Sequence, residues 1–366
     1  MPTPGADGQT GGRRRVLLAV ALTVGVGLLA LPFALADGQQ LLRTVAGIDL
    51  ALLAVPALLT VASYAAMARS YQGIADAAGY RLNFLAWLRI TFISNTTNYL
   101  VTSAGLSGFA VRMYLLSQRR VPAGRAVLIS LVQTFLTNIT LLLFIAIGFA
   151  SLVLRHSVST TALVTASVAL ALFTGLLAYA VVLIYHRQLR RRTLFFVADT
   201  GHRVLRRVVP RWTPGRVRLW RFQHNLNQGL EFLLARKDRM LAPAGWILLD
   251  WMLTIAILWA AFRAVNYPIA PGLVVIGFAV GVCLSLVSLV PAGLGVMDSS
   301  MTAVFVSLSV PLAQAAVAVL LFRVAYYGLP LLLSLVFFHR VVLQAAHDVT
   351  AQSGPARFDT PLPPSI

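Results

Sequence analysis

Runs of about twenty apolar residues, each fenced by arginine, dominate this chain and leave it one solvent to fold in. Arg13-Arg14-Arg15 precedes apolar residues 16–36, and residues 48–67 lead to Arg69. Residues 126–154 end at Arg155, 161–185 lead to Arg187, 243–263 end at Arg263, and 311–338 lead to Arg340. Each run, as a helix, is long enough to cross a hydrocarbon core of about 30 Å. Composition agrees: 58% of the 366 residues are hydrophobic and 11% charged, whereas a soluble domain carries about a quarter charged. The expected class is an all-α polytopic integral membrane protein.

The 30 basic residues exceed the 11 acidic ones and leave a formal charge of +19. They fall in blocks between apolar runs, the pattern that holds cytoplasmic loops in place and attracts anionic lipid headgroups. No nucleic-acid-binding motif accompanies the charge, so anionic membrane lipids are the expected partners. Cys283 is the only cysteine and the six histidines are scattered. Neither a disulfide framework nor a metal site is expected, and no cofactor. No nucleophile elbow, paired catalytic carboxylates, HExxH or P-loop occurs, so neither an enzyme nor an ATP-driven pump is expected.

Two segments depart from the run of spans. Residues 288–295, Ser-Leu-Val-Pro-Ala-Gly-Leu-Gly, sit at membrane depth, yet Pro291, Gly293 and Gly295 break a helix there, and Asp298 follows closely. Residues 90–110 are only moderately apolar and carry Asn95, Asn98, Gly105 and Gly108, with Arg112 beyond. Non-helical backbone inside a bilayer is tolerated where protein buries it or where it lines a polar cavity. A broken helix beside a charged residue is therefore a candidate binding site.

Basic residues on both sides of 90–110 place both its ends at the cytoplasmic face, as a re-entrant hairpin does; a full span is the alternative. Counting crossings from a cytoplasmic N-terminus, residues 273–310 leave and return at the outer face, opposite in sense. The count is about six full transmembrane helices plus two re-entrant segments, or eight full spans. Ala34-Leu35-Ala36 resembles a signal-peptidase site, so residues 1–36 read as a retained first helix or as a cleaved signal. The divisions expected are a polar tail at 1–12, a first membrane half at 13–186, a basic segment at 187–240, a second half at 241–340 and a polar tail at 341–366. Residues 187–239 hold thirteen arginines and Lys237 against Asp199, Glu231 and Asp238. Thr213-Pro214 there opens an apolar stripe through Leu219, Phe222, Leu226, Leu230 and Leu233, a helix lying on the cytoplasmic leaflet or a linker helix packed on the membrane domain. Both termini are expected in the cytoplasm and the chain in the cell membrane.

The halves echo each other. Ala104-Gly105-Leu106-Ser107-Gly108 matches Ala292-Gly293-Leu294-Gly295, and Val121-Pro122 matches Val310-Pro311, 17 residues after Gly105 and 18 after Gly293. Likeness with opposite orientation is the signature of inverted repeats, whose broken helices meet near the membrane midplane.

At these residues the chain resembles the flippase-like membrane domain of lysylphosphatidylglycerol synthases and its stand-alone relatives, over roughly residues 15–340. Asn95, Asn98, Gly105, Gly108 and Arg112 fall on that family's first, Asn-rich break. Pro291, Gly293, Leu294, Gly295 and Asp298 fall on its Pro-x-Gly-Leu-Gly break, and Arg323 on an arginine within its last span. Thr102-Ser103 stands where the family has proline, and Ser107 interrupts its glycine pair. The resemblance implies lipid translocation between leaflets; lysyl transfer is not implied, because no synthase domain is expected before Ile366.

Arg112, Arg323, Asp298 and Asp250 are the ionisable residues expected in or near the hydrocarbon, where such groups cost a few kcal/mol or more unless paired or hydrated. One reading has Arg112 and Arg323 bind a lipid phosphate, with Asp298 taking a cationic headgroup or a coupling proton. The other has Asp298 and Arg323 pair and lock the second half, with Asp250 reaching interfacial water or a neighbouring helix. The glycines shape backbone under either. The expected function is flippase-like movement of an anionic or aminoacylated phospholipid, or a polyprenyl-phosphate-linked lipid. The alternative is a non-transporting scaffold that docks a separate lipid-modifying enzyme or glycosyltransferase through its basic segment. A homo-oligomer is compatible with either.

Overall fold

The computed structural model describes residues 23–100, 106–155, 237–287 and 293–335, with scattered positions between 171 and 235. Every regular element among the described residues is helical, as the apolar runs require. Most of the expected span over 161–185 and of the basic segment 187–240 falls outside them, as do both tails.

Helices α1 (Thr23–Leu35) and α2 (Gly38–Ala46) meet at 96°. The segment between the first two apolar runs is itself this second helix. Asp37 starts it by accepting the Gln39 N–H at 2.8 Å, which satisfies a donor the first turn leaves open. Then follow α3 (Ala54–Ala77), α4 (Phe84–Leu100), α5 (Leu106–Ser117) and α6 (Ala123–Arg155). After the basic segment come α7 (Leu241–Ala264), α8 (Pro271–Val287), α9 (Val296–Ser307) and α10 (Leu312–Leu335), the last with a π-helical turn over Val324–Gly328.

Among the described residues, α6, α7 and α10 are long and apolar enough to cross a membrane, and α1 with α2 makes a fourth, broken, candidate. Helix α3 is as long, but it turns Ser63, Tyr64, Ser70 and Tyr71 into the bundle. The bundle's outer face is apolar: Leu58, Leu143, Leu248, Met252 and Leu332 are all exposed. Leucine on the outside is the arrangement that lipid, and not water, rewards.

Two series of elements correspond in order. Helices α3 and α7 each have 24 residues, α4 and α8 each 17, α5 and α9 each 12. Their ends correspond as well. After α3 the Tyr80 N–H reaches the Ala75 carbonyl at 2.8 Å, with Gly79 at φ 88°; after α7 the Tyr267 N–H reaches Phe262 at 3.0 Å, with Asn266 at φ 57°. After α5, Val121 bonds Leu116 with Arg120 at φ 59°; after α9, Val310 bonds Phe305 with Ser309 at φ 68°. These are the left-handed caps that satisfy the last carbonyls of a helix.

Each pair of short helices folds back on itself. Ser107 Oγ donates to the Thr97 carbonyl at 3.3 Å and Arg112 Nη2 to Ser94 Oγ at 3.2 Å, so α5 runs antiparallel to α4. Gly108 is what lets them approach: a Cβ there would collide with the Ser94 carbonyl and the Asn98 side chain. In the second pair, Phe305 and Met301 of α9 fill the room left by Gly277 and Gly281 of α8, again antiparallel. At 1.5 Å per residue, a twelve-residue arm is about 18 Å long, well short of the ~30 Å core.

Helices α3 and α7 make the most extensive pairing in the bundle. They too are antiparallel: Gly73 lies against Pro243, Ser63 bonds Asp250, and the Asp49 N–H bonds the Ala264 carbonyl. Ser63 and Asp250 are each the tenth residue of their helix. Their contact therefore joins corresponding points of the two series. Helix α6 reaches across to α8, where Gly148 meets Ala279; α10 reaches back to α4, where Thr96 Oγ1 bonds the Pro330 carbonyl at 3.3 Å and Tyr99 meets Tyr327 at 4.7 Å. Each series keeps its own core, around Ile74, Trp87, Leu116 and Ile129 in one and Phe262, Phe278, Phe305 and Phe322 in the other.

Candidate functional site

A cavity of about 590 Å³ lies where the two series meet. Asn95, Asn98 and Tyr99 of α4, Gly108 and Arg112 of α5, Asp250 and Trp251 of α7, and Tyr326 and Tyr327 of α10 line it. Helix α6 adds Gln133, Thr134, Thr137 and Asn138, and Leu131 carries the lining out to the bundle surface, where it is 49% exposed. The volume is in the range of small-ligand sites.

Arg112 is placed by the fold of the first pair. From the middle of α5 it meets Ser94 Oγ at 3.2 Å and Asn95 Oδ1 at 3.5 Å, and its guanidinium lies over the Tyr71 ring at 4.4 Å. It is 7% exposed, its Nε has no partner, and no carboxylate among the described residues pairs with it. A buried guanidinium held by neutral groups keeps most of its charge available to an anion, and its fork suits phosphate oxygens.

Asp250 is 3% exposed and accepts from Ser63 Oγ at 2.5 Å. No cation among the described residues pairs with it. Tyr71 carries Arg112 over its ring and lines the same cavity as Asp250. The cavity thus holds one buried guanidinium and one buried carboxyl group, unpaired with each other. Burying charge without a partner is expensive, so such groups mark places where something else supplies the partner.

The second break is built differently. Asp298, third residue of α9, accepts the Gly295 N–H at 2.8 Å through Oδ2 and the Arg323 Nε at 2.5 Å through Oδ1. The guanidinium of Arg323 rests on Tyr327 at 4.7 Å. Helix α1 covers this corner: Ser299 Oγ donates to the Leu28 carbonyl at 2.5 Å, and Gly295, at φ 76°, lies directly against Gly25 and Leu28. Any Cβ at position 295 would strike the α1 backbone. Met297 and Phe322 present this corner to the cavity, while Asp298 and Arg323 stay behind the wall.

Of the residues the sequence singles out, Asn95, Asn98, Gly108, Arg112 and Asp250 come together around one cavity. Gly293, Gly295, Asp298 and Arg323 gather at a separate, closed corner; Gly293 is buried at φ 60°. Gly105 and Pro291 lie outside the described residues. Sequence reasoning missed Ser63, Tyr71, Trp251, Tyr326 and Tyr327, and the polar stripe of α6. That stripe had a signal: Gln133, Thr134, Thr137 and Asn138 recur at helical spacing inside an otherwise apolar span.

No curated protein matches the chain. Residues 16–334 match the family described as the lysylphosphatidylglycerol synthase TM region, a membrane domain associated with lipid handling. The match spans both series of helices and both breaks. A multi-pass membrane protein, the chain belongs to the lysylphosphatidylglycerol synthase TM-region family.

Proposed function

We propose that this protein moves a phosphate-bearing lipid between the two leaflets, as a flippase-like transporter. The observation that carries the reading is Arg112: a buried guanidinium with no carboxylate partner among the described residues, on the wall of a cavity that opens at Leu131. A lipid phosphate on Arg112 would neutralise the charge inside the bundle while the acyl chains stay in the bilayer. The corresponding helix series support an inverted repeat, with re-entrant pairs α4–α5 and α8–α9 and an antiparallel α3–α7 axis. In transporters of that design one half moves against the other around a central site.

The test is translocation of a fluorescent, acyl-labelled phospholipid in proteoliposomes, read by quenching of the outer leaflet. Arg112→Gln should slow it roughly 10- to 100-fold, the worth of a hydrogen-bonded charge contact of about 1.5–3 kcal/mol. Its melting temperature should stay near that of the parent protein. Equal rates for Arg112→Gln and parent would remove the basis of the reading. Equal rates for parent and empty vesicles would favour a scaffold.

A further inference from the structure

We propose that the cavity recognises a lipid whose phosphate carries a hydroxyl-rich group, a polyol or a sugar, in preference to one carrying an amine. The inference rests on the translocation reading and concerns the headgroup of the lipid moved.

The first observation is the polar wall that α6 gives the cavity. Gln133, Thr134, Thr137 and Asn138 form one stripe of α6 facing the cavity, where a helix packed on an apolar core would carry leucine or valine. Asn95 and Asn98 of α4 add two more amides from the neighbouring helix. Asn138 lies in the middle of a membrane-spanning helix, half-buried on the cavity wall. An amide at that depth is costly unless a neighbour, a ligand or water meets its hydrogen bonds.

The second observation is the kind of bond left unmade. Four side chains lining the cavity carry a buried polar atom without a partner: Arg112 Nε, Gln133 Nε2, Trp251 Nε1 and Asn98 Oδ1. Three are donors and one is an acceptor, so the ligand they suit supplies mostly acceptors and some donors. Phosphate oxygens accept, and hydroxyls both accept and donate. Both kinds of lipid bring a phosphate to Arg112, but an ammonium only donates: it could meet Asp250 and Asn98 and would leave the Gln133 and Trp251 donors as they are. Asp250, with Ser63 on Oδ1, has its other oxygen for a pair of neighbouring hydroxyls.

The third observation is the aromatic lining. Tyr99, Trp251, Phe278, Tyr326 and Tyr327 surround the amides and hydroxyls. Ring faces next to amide and carboxylate groups suit a cyclic polyol, whose C–H faces are apolar and whose rim is hydroxylated. Arg112 takes the phosphate, the aromatic rings take the face, and the amides of α4 and α6 take the rim.

The experiment uses the full chain in proteoliposomes with four acyl- or prenyl-labelled lipids: phosphatidylinositol, a polyprenyl phosphohexose, phosphatidylethanolamine and phosphatidic acid. The expected result is that at least one hydroxyl-rich lipid moves about tenfold faster than phosphatidylethanolamine, the worth of one good hydrogen bond. Which of the two moves distinguishes a glycerophospholipid from a polyprenyl-linked source. Asn138→Leu, and separately Trp251→Phe, should bring that ratio close to one without lowering the melting temperature. A calorimetric arm in detergent compares short-chain phosphatidylinositol with short-chain phosphatidylethanolamine and does not depend on transport. Tighter binding of the inositol lipid, weakened by Asn138→Leu, supports the headgroup inference even if no lipid crosses, which would sink translocation alone. Equal movement and equal binding of the amine and hydroxyl lipids, or preference for the amine, overturns the headgroup inference and leaves translocation standing.

Discussion

At the scale of the residue, the four arginine and aspartate side chains buried among the described residues divide into two kinds. Asp298 and Arg323 pair with each other, and Asp298 also caps the start of α9; Arg112 and Asp250 pair neither with each other nor with any other charge among the described residues. The two kinds should respond differently to neutralisation. Arg323→Gln strands a buried carboxylate, so a loss of about 3–5 kcal/mol is expected, seen as reduced yield and melting temperature. Asp298→Asn with Arg323→Gln should recover part of that loss, and a double variant no better than the single would argue against the pair as the cause. Arg112→Gln should leave stability nearly intact and affect transport. That these residues matter was legible in the sequence, because an ionisable group in an apolar span is rare enough to stand out. Which kind each belongs to was not. Asp250 meets Ser63 at a separation of 187 positions along the chain, and no local pattern encodes such a contact.

At the scale of the element, glycine decides how closely helices approach. Gly295 combines φ 76° with direct contact to the α1 backbone, so Gly295→Ala is expected to cost more than about 1 kcal/mol, measured by thermal unfolding in detergent. A smaller effect would mean that α1 does not hold this corner. Cysteines replacing Leu28 and Ser299 should cross-link under mild oxidation, since Ser299 already bonds the Leu28 carbonyl; failure to cross-link would count against the placement of α1. The broken segments were readable from Pro, Gly and Asn, and the turn after each second arm from Val121-Pro122 and Val310-Pro311. The arm lengths were not. Helices α4 and α8 both begin before the polar stretch that marked them, because propensity alone does not say where tertiary packing will end a helix. Helix α2 escaped notice for a related reason: at nine residues it needs the Asp37 cap and its docking on α10 to exist.

At the scale of the whole molecule, the two series of helices are alike in length and cap but unlike in role. One break is sealed by α1 and by an ion pair; the residues around the other line the cavity. A design with one closed and one open half predicts that motion is concentrated in α4 and α5. Cysteine at Asn138 should then be protected from a membrane-impermeant maleimide when Ser107 is locked to Thr97 by a disulfide, and labelled when the lock is reduced. Labelling indifferent to the lock would mean that the first pair does not gate the cavity. The repeat was visible in sequence only as Ala-Gly-Leu and Val-Pro, while the correspondence of Ser63 with Asp250 on the α3–α7 axis emerges from three-dimensional packing. The measurement that bears most directly on the central claim is a structure of the protein in lipid nanodiscs, read at Arg112. A lipid phosphate within hydrogen-bonding distance of the Arg112 guanidinium, with the headgroup in the cavity beside Asp250, is the expected result. A dry or collapsed cavity with a protein carboxylate on Arg112 would contradict it.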